Sequence, residues 1–271
     1  PNLCKKIFSD KRSNLIKTYR AHDDGIKINL ESPEAFEEII WRSFYPEKYK
    51  SKILDEWSLP LKKLDFINFF AFNCHNLDLA NKDKKRYLSK NNNNIIRLRV
   101  LRNFFPSAKF LIMFRNPFSQ ALSLFNQHIK FSKIHSNDEF SREYMEDIGH
   151  YDFGKNVRPF NFEINRTKKL DLKKDNPDYW LEYWIHCYSA LLKRENVNLN
   201  FLSYDRLFEN PSKNSKKLLE ICGISHSETF CKKFERESEK KLEKVKSNYF
   251  NEVLYKDAKK VHRSLLRISK V

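Results

Sequence analysis

Residues 108–124, AKFLIMFRNPFSQALSL, constrain the fold more than any other stretch of the chain. The apolar run from 110 to 114 predicts a buried β-strand, and Asn116 followed by Pro117 predicts a helix with an asparagine N-cap. A helix that begins at the carboxyl end of a parallel strand offers unpaired backbone N–H groups to an anion. Arg115 stands at the turn, and its planar guanidinium suits phosphate oxygens. The unit is therefore a candidate phosphate-binding site, although many strand-turn-helix units with an arginine at the turn bind no ligand.

Two serines on the predicted helix extend this candidate site. Ser119 and Ser123 are four residues apart, so both hydroxyls share one helix face near its start. Arg115 and Ser123 are separated by eight residues. This spacing is similar to that of the 3′-phosphate-binding motif of sulfotransferases that use 3′-phosphoadenosine-5′-phosphosulfate (PAPS). The resemblance implies that Arg115 and Ser123 bind the 3′-phosphate of this co-substrate.

Three further segments carry the same resemblance. Residues 87–117 are similar to the family's lysine-containing segment, helix, F-P-x-A turn and strand, in that order. Residues 198–223, beginning NLNFLSYDRLFENP, resemble its later strand, Y-E-x-L-x-x-N-P turn and helix. Residues 20–44 are similar to bacterial members. The chain therefore resembles PAPS-dependent sulfotransferases of the bacterial type.

The resemblance implies an α/β fold in which a parallel sheet is flanked by helices, the P-loop-NTPase-like fold of sulfotransferases. A length of 271 residues suits one such domain, and we interpret residues 1–271 as a single domain. The implied activity is transfer of a sulfonate group from PAPS to a hydroxyl or amine acceptor, a small molecule or glycan, with PAP as the product. A non-catalytic protein that binds PAP or another polyanion is the alternative.

The resemblance also assigns roles to single residues. Lys90 matches the family's lysine that contacts the sulfonate or the leaving oxygen, and Asn94 matches its asparagine. Tyr204 matches an aromatic residue near the adenine, although a tyrosine that only holds a turn fits the sequence equally well. For the base that takes the acceptor's proton, the candidate is His22, which could be poised near neutral pH. Three alternatives compete with it: Glu37, Glu38 and His128.

One element of the family is missing from the sequence. Sulfotransferases open with a strand, a PRSGTT-like loop and a helix that hold the 5′-phosphosulfate, and such a backbone cradle needs glycine. The chain has four glycines, and none lies in a loop of this kind. We therefore expect an N-terminally incomplete domain, which transfers sulfonate weakly or not at all by itself.

Composition and motifs limit the classes of ligand and partner that we expect for this protein. The net charge of +17 fits a polyanionic ligand, and it fits an AT-rich coding sequence equally well. No helix-turn-helix, RNA-binding or zinc-finger pattern supports a nucleic-acid partner, and no cluster has metal-ligand spacing. The apolar runs are too short for a membrane span. The five cysteines are scattered, which favours reduced thiols in a cytoplasmic protein.

Periodicity and end signals predict the remaining elements. RYLSK, residues 86–90, is predicted as a strand whose end lies beside Arg115. Residues 95–104 are predicted as one helix with Arg97, Arg99 and Arg102 on or near its solvent side. Residues 150–175 are predicted as an exposed loop that covers the acceptor site. Helices are also expected at 32–44, 60–80, 117–131, 137–149, 177–194, 210–223 and 251–268, with a strand at 198–204.

Overall fold

The computed structural model describes residues 18–19, 27–28, 37–58, 64–80, 86–162, 173–194, 198–225, 227–237 and 249–271. The strands in these ranges are β1 (Thr18–Tyr19), β2 (Lys27–Ile28), β3 (Leu54–Asp55), β4 (Phe110–Phe114), β5 (Phe160–Asn161) and β6 (Leu199–Ser203). The α-helices are α1 (Glu37–Phe44), α2 (Leu64–Ala80), α3 (Leu98–Phe104), α4 (Pro117–Asn137), α5 (Glu139–Asp147), α6 (Pro177–Leu192), α7 (Tyr204–Glu209), α8 (Pro211–Cys222), α9 (Glu228–Glu237) and α10 (Glu252–Ile268). Within the described ranges, 3₁₀ helices span Pro46–Tyr49 and Asn92–Ile96.

Strands β4 and β6 form the parallel pair that organises the fold. Phe110 lies opposite Leu199, and Phe114 lies opposite Ser203. A second short parallel pair joins β3 to β5, whereas β1 and β2 are antiparallel. Because β4 and β6 run in the same direction, the residues that follow them emerge at the same edge. The α/β class with parallel strands and surrounding helices is confirmed.

Three helices begin with the dipeptide Asn-Pro. The side chains of Asn116, Asn176 and Asn210 each accept a hydrogen bond from a backbone N–H in the first turn of the helix that follows. Proline fits the next position because it needs no partner for a backbone N–H there. The helix starts predicted at these dipeptides are confirmed, and so is the end of α8 at Gly223, whose φ of 62° suits glycine. The α4 helix continues past its predicted end to Asn137, and Asp138 caps α5.

Aromatic side chains fill two adjoining cores. The first core lies between β4, β6 and the helices α4, α6 and α10, and it includes Trp180 and Trp184. The second core includes Trp41, Trp57 and the starts of α2 and α3. Tyr183 packs against both cores. The aromatic stripe of α6 is therefore core packing, as its helical spacing predicts.

Two predictions for residues 86–104 are wrong. Residues 86–90 form no strand, and their side chains are exposed. The single predicted helix is two elements, the 3₁₀ helix and α3, which meet at Arg97. The physical reason lies in the four asparagines that precede it. Asn91 accepts a hydrogen bond from the backbone N–H of Asn93 at 3.0 Å, and such local side-chain bonds favour caps and tight turns over strands.

The segment predicted as an exposed loop at 150–175 is mostly packed where it is described. Tyr151, Phe153 and Phe162 are buried, and β5 pairs with β3. Two histidines of α4 hold this segment. Nδ1 of His128 accepts from the backbone N–H of Gly154, and Nδ1 of His135 accepts from that of Lys155, both at 3.2 Å. The segment is therefore part of the core, and residues 163–172 of the predicted loop lie outside the described residues.

These histidine contacts predict a loss of stability in acid. The pKa of His128 is lowered from 6.5 to about 4, mainly by burial and to a smaller extent by nearby Lys174, while Asp175 opposes the shift. A lowered pKa means that the folded protein favours the neutral imidazole over the charged one. The free energy of unfolding should therefore fall by up to about 3 kcal/mol as the pH drops from 6.5 towards 4. We expect His128→Asn to flatten this part of the pH dependence, because asparagine does not titrate. Its amide oxygen can still accept from the N–H of Gly154, so the local structure is kept.

Urea unfolding at several pH values between 7.5 and 4.5 measures the effect. His75→Asn is the matched control, because His75 is an exposed histidine on α2. Equal pH slopes for His128→Asn and His75→Asn would contradict the prediction.

Candidate functional site

Arg115 and Tyr204 meet where β4 and β6 end. The guanidinium carbon of Arg115 lies 5.0 Å from the centre of the Tyr204 ring, a cation–π contact. Nε of Arg115 is buried and has no hydrogen-bond partner among the described residues. A buried guanidinium N–H without a partner is costly. This edge of the strand pair therefore carries a cation that needs an acceptor.

The backbone of the turn is already occupied. The side-chain oxygen of Asn116 accepts from the N–H groups of Phe118 and Ser119, at 3.1 and 3.3 Å. The N–H of Asn116 itself donates to a carboxylate oxygen of Asp205 at 2.7 Å. From the sequence alone we expect free backbone N–H groups at this helix start, and those of Phe118 and Ser119 are not free. An anion bound here would instead depend on side-chain donors.

Asp205 does not cap the helix in whose first turn it lies. The hydroxyl of Ser203 performs that role, since it accepts from the N–H of Arg206 at 3.3 Å. The Asp205 carboxylate instead bridges to the turn after β4. Because β4 and β6 are in register, this bond ties the two strand ends together and fixes Arg115 relative to Tyr204.

The two serines of α4 differ in exposure. Ser119 is half-buried in the first turn, and Ser123 is exposed in the second. Their spacing of four residues places them on one face of the observed helix, as predicted. The hydroxyl of Ser123 is therefore accessible to a ligand.

The segment that carries Lys90 is held against α1 by Glu37. The Glu37 carboxylate accepts from the hydroxyl of Tyr87 at 2.8 Å and from that of Ser89 at 2.5 Å. The amide of Asn94 donates to the same Ser89 hydroxyl at 2.9 Å. Burial, together with the Glu37 carboxylate, raises the pKa of Tyr87. Lys90 follows Ser89, and its side chain is exposed.

Beneath this segment lies a buried ion pair between Arg97 and Glu38, with side chains 0% and 5% exposed. Arg97 also donates to the Tyr49 hydroxyl at 3.2 Å and to the side-chain oxygen of Asn94 at 2.9 Å. Glu38 accepts in addition from the amide of Asn91 at 2.6 Å. The pair therefore anchors both ends of the 3₁₀ turn that follows Lys90.

The prediction that Arg97 lies on or near the solvent side is thus wrong. Its guanidinium carbon lies 4.5 Å from the Trp41 ring centre and 5.3 Å from that of Trp57. An arginine can be buried when a carboxylate neutralises it and aromatic faces cover it. Apolar neighbours in the sequence do not signal this burial, because Arg99 lies between Leu98 and Val100 in the same run and is exposed. Arg99 and Arg102, by contrast, are exposed.

The four candidate bases differ in their location and in their hydrogen-bond partners. His22 lies outside the described residues. Glu38 is occupied by Arg97, and His128 is occupied by the backbone of Gly154. Glu37 is half-buried and next to the segment that carries Lys90.

Within the described ranges, no group of three or more His, Cys, Asp or Glu side chains has a geometry that could hold a metal ion. No helix in the same ranges combines the length and apolarity needed to cross a membrane.

The fold and the site define an α/β protein with a cationic site at the carboxyl ends of two parallel strands. The family model of the sulfotransferase domain matches residues 23–267, and the chain belongs to this family. Its fold is the P-loop-like fold of sulfotransferases, and the general activity of this family is sulfonate transfer. No curated protein and no solved structure gives a significant match.

Proposed function

We propose that the protein binds PAPS and transfers its sulfonate group to a hydroxyl or amine acceptor, a small molecule or glycan, releasing PAP. The family supports the sulfonate transfer. The observation that carries the PAPS assignment is the Arg115 guanidinium, which stacks on Tyr204 and has a buried N–H without a partner among the described residues. Such a group suits a phosphate oxygen.

In this proposal Arg115 and Ser123 bind the 3′-phosphate, and Tyr204 lies near the adenine. The guanidinium lies over the Tyr204 ring, and the Phe208 ring packs edge to face with it at 4.7 Å between ring centres. We therefore assign the Tyr204 hydroxyl to the contact with the base. Asp205 is a positioning residue, because its carboxylate holds the turn that carries Arg115.

The acceptor's oxygen or nitrogen attacks the sulfur, and the bond from sulfur to the 5′-phosphate oxygen breaks. Negative charge grows on that oxygen as PAP leaves, so a nearby ammonium stabilises the loose transition state. We assign this role to Lys90. The proton of the acceptor passes to a base, for which His22 and Glu37 are the two candidates. Glu37 lies beside the segment that carries Lys90, but its carboxylate already accepts from Tyr87 and Ser89, so we prefer neither candidate.

The test of the nucleotide site is Arg115→Ala. Each charge-assisted hydrogen bond is worth about 1.5–3 kcal/mol, so we expect PAP affinity to fall about tenfold or more. Isothermal titration calorimetry with PAP measures this affinity in the variant and in the unmodified protein. Arg263→Ala, which removes an exposed arginine of α10, should leave the affinity unchanged. Unchanged PAP affinity in a folded Arg115→Ala protein would refute the assignment.

The alternative function is binding of PAP or another polyanion without transfer. The net charge of +17 and the buried Nε–H of Arg115 suit an anionic ligand without requiring a transfer step. Labelled PAPS with a panel of hydroxyl and amine acceptors separates the two functions. Transfer that disappears in Lys90→Ala supports the enzyme, and PAP binding without any transfer supports the binding protein.

We further propose a reducing, cytoplasmic location. The described cysteines, Cys74, Cys187, Cys222 and Cys231, are free thiols. Burial raises the pKa of the Cys187 thiol to about 12, which keeps it in the unreactive protonated form.

A further inference from the structure

A second group of cations lies at the opposite edge of the β4–β6 pair. A cavity of about 360 Å³ opens beside the amino-terminal ends of both strands, where Lys109 precedes β4 and Asn198 precedes β6. The Arg115 site follows the carboxyl ends of the same strands. Five residues at about 3.3 Å each separate the two edges by roughly 16 Å. We call this second site the basic cavity.

Four cations and one carboxylate line the basic cavity. The cations are Arg102, Lys109, Lys217 and Lys270, and the carboxylate is that of Glu220. None of the four cations forms an ion pair with a carboxylate in the ranges that the structure describes. Like charges gathered around one cavity repel each other, and an anion placed between them removes that repulsion.

Hydrogen bonds position three of these four residues, of which Arg102 donates from its guanidinium to the carbonyl of Pro106 at 3.1 Å. Nζ of Lys109 donates to the carbonyl of Ile221 at 2.9 Å, at the C-terminal end of α8. The backbone N–H of Lys270 donates to the carbonyl of Phe201 at 2.8 Å, which holds the segment after α10 beside β6. Lys109 is thus partly satisfied by the helix end, whereas the ammonium groups of Lys217 and Lys270 are exposed and keep their donors for a ligand.

We propose that the basic cavity binds an oxyanion, a sulfate or phosphate group, at a site separate from the one at Arg115. The group is either a free ion or an ester on a larger molecule. Three ammonium groups and one guanidinium can donate to its oxygens, and the volume accommodates more than one such group. The proposal does not depend on the proposed transferase activity.

The test uses the Arg115→Ala protein, so that sulfate cannot bind through that arginine. In this background we compare the double variant Lys217→Ala and Lys270→Ala with the control double variant Lys216→Ala and Lys260→Ala. All four lysines are exposed, and both double variants lower the net charge by the same amount. Lys216 and Lys217 lie on the same helix, but only Lys217 lines the basic cavity.

Sulfate affinity is measured by calorimetry and by amide chemical shifts in nuclear magnetic resonance. We expect the cavity variant to lose about tenfold in sulfate affinity and the control to lose less than about twofold, because only the former removes direct donors. The shifts induced by sulfate should centre on Asn198 and Asn200, which line the cavity. Equal losses in the two double variants, or shifts spread over the whole surface, would overturn the proposal.

A sulfated disaccharide, titrated in parallel with inorganic sulfate, identifies the source of the oxyanion. Tighter, Lys217-dependent binding of the disaccharide assigns the site to an ester, and equal binding of both assigns it to the free ion. Failure of both ligands to bind overturns the site. Because the readout depends on Lys217 and Lys270, it is independent of whether Arg115 binds PAP.

Discussion

Arg97→Ala is expected to lower the free energy of unfolding by about 3–5 kcal/mol, because it leaves the buried carboxylate of Glu38 without its counter-charge. The variant also removes the donors to Tyr49 and Asn94 and uncovers the faces of two tryptophans. Urea unfolding followed by circular dichroism measures the change. A loss of this size is a large fraction of the stability of an ordinary domain.

Two comparisons separate the buried charge from general effects of truncation. Arg102→Ala removes an exposed arginine of α3, and we expect a change within about 0.5 kcal/mol. Replacing both partners, Glu38→Leu with Arg97→Met, leaves no unpaired charge and should be less damaging than Arg97→Ala alone. If Arg97→Ala is no more destabilising than Arg102→Ala, the network does not anchor the segment that carries Lys90.

Lys90→Ala is expected to lower kcat for sulfonate transfer by about 10²–10³, the typical cost of removing one preorganised group that stabilises transition-state charge. Because the charge grows on the leaving oxygen only as the bond breaks, PAP affinity should change much less than kcat. Initial rates with labelled PAPS give kcat, and calorimetry with PAP gives the PAP affinity.

Lys90→Arg keeps the charge and should retain part of the rate, whereas Lys133→Ala removes an exposed lysine of α4 and should have no effect. Stability should be unchanged in Lys90→Ala, because the side chain is exposed. Full transferase activity in Lys90→Ala would remove this lysine from the catalytic site.

Local signals in the sequence predict the strand-turn-helix unit well. The apolar run of β4, the Asn-Pro start of α4 and the similar start of α8 are all found in the structure. These signals are short-range, since a cap and a proline act within one turn. The parallel pairing of β4 and β6 agrees with the order of the family's segments, and it brings Arg115 to Tyr204.

Contacts between residues that are distant in the sequence could not be predicted from the sequence. Arg97 belongs to a regular pattern of arginines at 97, 99 and 102, and only Glu38, far away in the chain, explains why one of them is buried. Asp205 likewise finds its partner across the strand pair. Residues 86–90 are predicted as a strand, but the contacts of Glu37 hold them against a helix instead. In each case a specific tertiary partner outweighs the local preference.

The two cores also provide the protein with natural optical probes. Of the four tryptophans, Trp41 and Trp57 lie in one core and Trp180 and Trp184 in the other. Trp41 and Trp57 are in contact with the guanidinium of Arg97, and the ring of Trp184 lies 4.6 Å from that of Tyr188. Proteins in which one pair is replaced by phenylalanine would therefore show by fluorescence whether the two halves of the interior melt together or one after the other.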